Sequence, residues 1–167
     1  MAAANTYVAI ASQTLASTAT SITFSSIPAT YTDLVVVFQG GVASATANLM
    51  AWINNDTAAN YSSTVLYGNG STPTSGRASS VSKMYLSGLA VIDTTLAASA
   101  VVNFMNYANT TTNKSVLART SNATQMTGAS VSLWRSTAAI NRIDLSPDAA
   151  VNFIIGSTFS LYGILAA

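Results

Sequence analysis

The chain has 167 residues, of which 50% are hydrophobic and only 7% charged, and its formal net charge is +1. This length fits one domain, and the composition excludes an intrinsically disordered chain, which combines few apolar residues with a high net charge. The apolar residues nowhere form the uninterrupted stretch of about 20 that crosses a bilayer, so no membrane span is expected.

Apolar and polar residues alternate with period two along most of the chain, which predicts strands rather than helices. The first 17 residues alternate in this way and lack a basic region, so they do not predict a secretory signal. Further on, Ile27-Pro28 marks a corner, because proline cannot donate a ladder hydrogen bond and favours extended geometry in the preceding residue. Behind it, "DLVVVFQG" (33–40) is predicted to be a strand covered on both faces. In chain order, the predicted strands are 7–15, 21–25, 33–40, 48–54, 61–68, 81–88, 100–108, 114–120, 128–136, 140–146 and 157–165.

Segments rich in Gly, Pro, Asn and Asp separate these strands and predict turns: "NNDTAAN" (54–60), "GNGSTPTSGR" (68–77) and "ANTTTN" (108–113). The segment "LAVIDTTLAASA" (89–100) is compatible with a short helix or a surface excursion. About ten short strands without a long helix leave a sandwich, a jelly roll or a barrel as candidates. We favour a single all-β domain, an antiparallel jelly-roll β-sandwich spanning residues 1–167.

The chain lacks the residues that most catalytic and metal sites require. Histidine and cysteine are absent, which removes the commonest general base, the usual partner of a nucleophilic serine, and the thiolate and imidazole metal ligands. The acids are all aspartates, and Asp33, Asp56, Asp144 and Asp148 fit turn or surface roles. We therefore predict a non-enzymatic protein with no catalytic residue, no cofactor and no metal site.

The basic residues are dispersed rather than clustered, which argues against binding to nucleic acid through phosphate contacts. They are Arg77, Lys83, Lys114, Arg119, Arg135 and Arg142.

Trp134 is the sharpest candidate for recognition of a ligand. In "VSLWRS", Val131 and Leu133 share one face of the predicted strand, whereas Ser132 and Trp134 share the other, so Trp134 is expected to point outward or into a subunit contact. A core or interface anchor is the more usual role of a large aromatic residue, and a platform that stacks on a sugar is the alternative. Tyr61 and Tyr67, in the neighbouring Tyr/Asn-rich segments, are candidates for the same contact.

The polar strand positions carry Ser, Thr and Asn instead of the Lys and Glu that usually protect sheet edges from other chains. A surface with so little charge is expected where much of it is buried against other subunits, because interface cores are depleted in charge. In the strand 33–40, Leu34, Val36 and Phe38 are expected to face the interior. Val35 and Val37 are expected to face either a covering loop or a neighbouring subunit.

Three segments, 10–37, 53–71 and 132–164, together resemble small structural proteins of tailed bacteriophages, especially those of cyanobacterial and marine hosts. The most specific parts are the corner "SIPATYTDLVV" (26–36) and the terminal "GSTFSLYGI" (156–164), with Phe153 before it. The resemblance implies a β-sandwich module on the virion, either a capsid decoration or part of a tail fibre, and it specifies no catalytic residue.

These observations predict a virion structural protein, most simply a decoration or cement protein on the outside of the head that stabilises the shell. The expected partners are further copies of the chain, with a trimer as the expected state, and the major capsid protein; neither nucleic acid nor membrane is expected. The alternative is a tail-fibre or receptor-binding module that recognises host-surface glycans. Virion proteins of either kind assemble in the host cytoplasm.

Overall fold

The computed structural model describes residues 6–88, 91–123, 126–148 and 150–165. Within these residues, twelve strands form two antiparallel sheets and no helix is present. The strands are β1 (Tyr7–Thr14), β2 (Ile22–Phe24), β3 (Asp33–Gly40), β4 (Leu49–Ile53), β5 (Tyr61–Gly68), β6 (Pro73–Val81), β7 (Met84–Tyr85), β8 (Ala98–Phe104), β9 (Lys114–Asn122), β10 (Met126–Trp134), β11 (Ile143–Pro147) and β12 (Thr158–Ile164).

The strand order is that of a jelly roll. The large sheet has the order β1-β12-β3-β8-β9-β10-β5-β6, and the small sheet has the order β2-β11-β4-β7. Four nested pairs, β1 with β12, β2 with β11, β3 with β8 and β4 with β7, alternate between the two sheets. This is a chain that folds back on itself and wraps into two Greek keys. Two inserted hairpins, β5–β6 and β9–β10, widen the large sheet beyond β8. The predicted antiparallel jelly-roll β-sandwich is confirmed.

One hydrophobic cluster fills the space between the sheets, with residues from both inner faces. The strand behind the proline corner supplies Leu34, Val36 and Phe38 to it, as predicted. The ring of Phe38 lies 5.7 Å from that of Phe153 and 5.1 Å from that of Phe159. Aromatic contacts of this kind contribute about 0.5–1.5 kcal/mol each beyond their buried area.

The proline corner packs on the last strand. The Thr32 amide donates to the carbonyl of Ile164 over 2.8 Å. Tyr31 lies flat against Gly163, where an added Cβ would come within 2.2 Å of the Tyr31 ring. The two segments that are most specific in the sequence, 26–36 and 156–164, therefore meet in one contact that requires a residue without a side chain.

β6 corrects the prediction of a turn-rich loop over 68–77. Pro73 begins the strand and pairs with Gly68, and the ladder with β5 continues to Val81. β6 is an edge strand, so its outer backbone needs no partner and proline is tolerated at its start. Its side chains are small and mostly exposed on both faces, so no period-two pattern marks it in the sequence.

The segment 91–100 contains no helix over its described residues, and only its middle, residues 94–96, is an exposed loop. Val91 and Ile92 are buried, and Ile92 exchanges two backbone hydrogen bonds with Ala47. β8 then begins at Ala98, and residues 89 and 90 lie outside the described part. The preceding segment, predicted as one strand over 81–88, is divided between two elements, because Val81 ends β6 and Met84–Tyr85 forms β7.

Candidate functional site

The side of the large sheet that points away from the small sheet is open to solvent, and we call it the outer face. Strand registers align side chains on it in rows across five neighbouring strands. One row consists of Val35, Asn103, Leu117, Val131 and Thr64. The next row consists of Val37, Val101, Arg119, Ala129 and Leu66.

Much of the outer face is apolar and exposed. Leu66 is 60% exposed and Val131 is 54% exposed, and Leu133 and Met105 also reach solvent. Single exposed apolar residues are normal, but contiguous apolar patches mark sites of contact with other molecules. The outer face thus has the composition of a surface that another protein covers.

Charge on this face is low. Across the eight described strands of the large sheet, Asp33 is the single carboxylate, and it lies at the start of β3. Arg77 and Arg119 are the exposed basic residues of these strands. Polar positions bear short hydroxyl groups that pair across strands, such as Ser99 Oγ with Ser121 Oγ over 2.9 Å. When a partner covers this face, few strongly hydrated side chains lose their bound water.

The two valines of β3 that were expected to face a covering loop or a neighbouring subunit differ in exposure. Val35 is buried at 3% exposure within the single chain, whereas Val37 is 38% exposed. Both lie on the outer face, where Val35 is flanked by Tyr162 and Asn103, and Val37 by Ser160 and Val101. No loop covers Val37 among the described residues, so only this valine remains available for a subunit contact.

Trp134 is buried, and the prediction that it points outward is wrong. The side chain is 2% exposed, its Nε1 donates to Asp56 Oδ2 over 2.7 Å, and its ring stacks on Tyr61 at 6.4 Å between centroids. Ser132 and Trp134 do share a face, but it is the inner one. The alternation was predicted correctly and its direction was not, because Val131 and Leu133 are the exposed pair.

Tyr61 is also fully buried, so neither aromatic residue can stack on a glycan while the core is closed. The Tyr61 hydroxyl donates to the carbonyl of Asp56 over 2.9 Å and accepts from the amide of Ile53 over 3.0 Å. Burial raises the pKa of Tyr61 to about 12. Tyr67, the third predicted contact residue, is half-buried at the border of a cleft between the two sheets.

Asp56 stabilises the loop that precedes β5. Burial raises the pKa of this carboxyl group, but hydrogen bonds from Trp134, Asn60 and Ala58 outweigh the effect and hold the pKa below its ordinary value. Asp56 thus has the turn role predicted for it and also anchors the buried indole.

Asp144 lies in the small sheet and is buried, which corrects its predicted turn or surface role. The Arg142 guanidinium binds both of its carboxylate oxygens, over 2.6 and 2.7 Å, and Thr23 donates a third hydrogen bond. The hydrogen bond to Asp144 raises the pKa of Arg142. The ion pair leaves this carboxylate no vacant oxygen with which to act as a base.

The other two predicted turn aspartates bind backbone amides. Asp33 accepts from the amide of Asn106 over 2.6 Å, and Asp148 accepts from the amide and the side chain of Asn48 over 2.8 and 2.7 Å. Over the ranges that the structure describes, no three potential metal-ligating side chains lie together. These contacts connect strands and loops.

No family model matches the chain, and no curated protein matches it either. In the described part of the chain, no helix has the length and apolar character needed to cross a membrane.

Proposed function

We propose that the chain is a non-enzymatic structural protein of a phage virion, namely a decoration or cement subunit on the outside of the head. The observation that carries this proposal is the outer face, with its rows of exposed valine and leucine and its scarcity of charge. The jelly-roll fold and the sequence resemblance to virion proteins support it. Fold alone does not decide function, so the proposal depends on the surface.

Such a subunit stabilises a shell through the surface area that its contacts bury rather than through a catalysed reaction. Specific interfaces bury about 1,200–2,000 Å² in total, and a few buried apolar anchors surrounded by hydrogen bonds contribute most of the free energy of binding. Leu66, Val131 and Leu133 are the anchors that the outer face offers. The serine and threonine hydroxyl groups around them supply hydrogen bonds at little desolvation cost.

The contacts proposed for the outer face are with further copies of the chain and with the major capsid protein. The exposed edge of the large sheet also favours permanent association. β6 forms this edge over nine residues, and Arg77 is their single charge, so little charge opposes pairing with another strand. A trimer remains the predicted oligomeric state.

The experiment that tests the proposal is the removal of the protein from virus particles. Particles that lack it should release DNA at a lower temperature than complete particles, and adding back the purified protein should restore their stability. If particles without the protein are as stable to heat and to internal DNA pressure as complete ones, the cement role is refuted.

A tail-fibre or receptor-binding module is the second candidate, and the half-buried Tyr67 at a cleft favours it. Copy number separates the two functions. Gel densitometry of purified particles should give hundreds of copies for a shell protein, against a few to a few dozen for a tail protein.

A further inference from the structure

A cleft of about 220 Å³ opens where the large sheet extends past the edge of the small one. β7, the last strand of the small sheet, packs on β5 and β10, so the small sheet does not cover the inner face of β6. The cleft is bordered by Tyr67, Tyr85, Val65, Ser63, Asn48 and Ser87. This volume is below the about 300–1,000 Å³ of sites for drug-sized ligands, so the cleft accommodates one small ring.

Close contacts fix the ring of Tyr67 and the backbone of Tyr85. The backbone at Gly88 lies against the Tyr67 ring, where an added Cβ would come within 2.5 Å of Cδ1. The Tyr85 amide donates to Ser63 Oγ over 2.9 Å, and its carbonyl accepts from Ser132 Oγ over 3.0 Å. The two serine hydroxyl groups lie 2.8 Å apart in the interior. A ligand would therefore meet a Tyr67 ring that is already ordered, which lowers the entropic cost of binding.

The cleft is lined mainly by apolar surface, and its polar groups are uncharged. Arg77 borders it through its backbone, because Arg77 pairs with Thr64 on the outer face and its side chain points away. No other charged residue lies among the described residues that border the cleft. Asn48 is held in place by Asp148 through two hydrogen bonds. Ser63 and Ser87 are buried and hydrogen-bonded within the protein. The accessible wall thus combines the Tyr67 ring with the Asn48 amide, and nothing in it selects for an ionic ligand.

We propose that this cleft binds one neutral pyranose ring of a glycan. The C–H face of such a ring stacks on an aromatic side chain, and its hydroxyl groups pair with uncharged polar groups. The cleft is formed by the inserted hairpin β5–β6 together with β7, away from the exposed apolar rows of the outer face. The proposal is independent of the cement role and rests on the second candidate function, glycan recognition, for which it names the site and the ligand. Loss of particle stability tests the cement role, and sugar binding by the isolated protein tests this site, so the two can fail separately.

The test is nuclear magnetic resonance of the isolated protein with methyl glycosides of glucose, galactose, mannose and N-acetylglucosamine. At least one sugar should show saturation transfer at about 10 mM, well above a Kd of about 1 mM, which is typical of weak ligands. Its addition should shift the backbone amide signals of Ser63, Ala78 and Tyr85. Transfer from none of the four sugars overturns the proposal, and so do shifts confined to other regions.

Substitutions identify the side chains that bind. Tyr67→Ala and Tyr85→Ala should each weaken binding about tenfold or more, a factor that corresponds to losing one good ring contact. Tyr7→Ala is the matched control, because Tyr7 is 57% exposed on β1 at the opposite edge of the large sheet. Equal weakening in all three variants, or in none, overturns the proposal. The amide shifts of the unsubstituted protein keep the test decisive if a tyrosine variant does not fold.

Discussion

Two aspartates introduced on the outer face should prevent assembly without unfolding the subunit. Val131 and Leu66 lie diagonally across β10 and β5, since Val131 pairs with Thr64 and Ala129 pairs with Leu66. The double substitution Val131→Asp with Leu66→Asp places two carboxylates at the centre of the proposed contact. Both side chains already reach solvent in the single chain, so the fold itself should lose little.

The magnitude follows from the surface that a partner would cover. Full burial of a valine or leucine contributes about 1.5–3 kcal/mol, and 54% of Val131 and 60% of Leu66 is still exposed. Covering both is therefore worth about 2–3 kcal/mol per contact, and desolvating two carboxylates adds a further cost. Since each 1.4 kcal/mol changes affinity about tenfold, assembly should weaken by at least about 30-fold.

Sedimentation of the purified protein and its binding to particles that lack it measure this effect. The control is Ser44→Asp with Thr46→Asp, which adds the same charge in the exposed loop between β3 and β4. Thermal unfolding of both variants checks that each subunit is folded. If the outer-face variant is folded and assembles as well as the control, the outer face is not the contact surface.

Four further substitutions test the interior and the outer side of β3. Tyr61→Phe should reduce the loss of stability at alkaline pH. The pKa of Tyr61 is about 12 in the folded protein, above the value of about 10 in the unfolded chain. Protonated Tyr61 therefore contributes its full stabilisation below pH 10, and this contribution disappears as the pH rises to 12. That contribution is up to about 2–3 kcal/mol, and equal slopes of unfolding free energy against pH in the two proteins would contradict it. Gly163→Ala should destabilise the fold by about 1–3 kcal/mol, because its Cβ would overlap the Tyr31 ring; an unchanged melting temperature would refute that contact. Val35→Asp should unfold the subunit, whereas Val37→Asp should leave a folded subunit that assembles less well. If Val37→Asp lowers the melting temperature more than Val35→Asp does, the assignment of Val35 as buried and Val37 as exposed is wrong.

The hydrophobic pattern allowed accurate prediction of two strands that contribute to the core. The bounds of β3 and β5 agree with the predicted segments 33–40 and 61–68 to the residue. β3 was predicted from its unbroken apolar run behind the proline corner and β5 from alternation, and in both strands buried side chains produce the pattern.

β6 could not be predicted in this way because burial does not select its side chains. Its residues are exposed over most of their length, and it is held by the ladder with β5 rather than by packing. Backbone pairing of this kind leaves no hydrophobic period in the sequence. Glycine, serine and threonine then predict a turn by default.

The direction of the alternation in β10 was a different kind of error. Residues 131–134 alternate two apolar side chains with a serine and a tryptophan, so the pattern separates the two faces without saying which is inside. The deciding contact is made by Asp56, whose carboxylate accepts the indole hydrogen bond from a loop 78 residues away. No local feature of the segment around Trp134 encodes that partner, so the sequence did not show that Trp134 faces the interior.

Both proposed contact sites lie largely on the inserted hairpins. The hairpins β5–β6 and β9–β10 widen the large sheet, and their inward side chains also belong to the hydrophobic cluster, namely Tyr61, Val116, Ala118 and Trp134. Their outward side chains form much of the contact surface: Leu66, Leu117, Val131 and Leu133 lie on the outer face, and Tyr67 carries one wall of the cleft. Exposed side chains can change without loss of the core, since surface substitutions usually alter stability little. The outward residues of the hairpins are therefore free to adapt to a partner, whereas Tyr61, Trp134 and the Tyr31 and Gly163 contact should tolerate no such change.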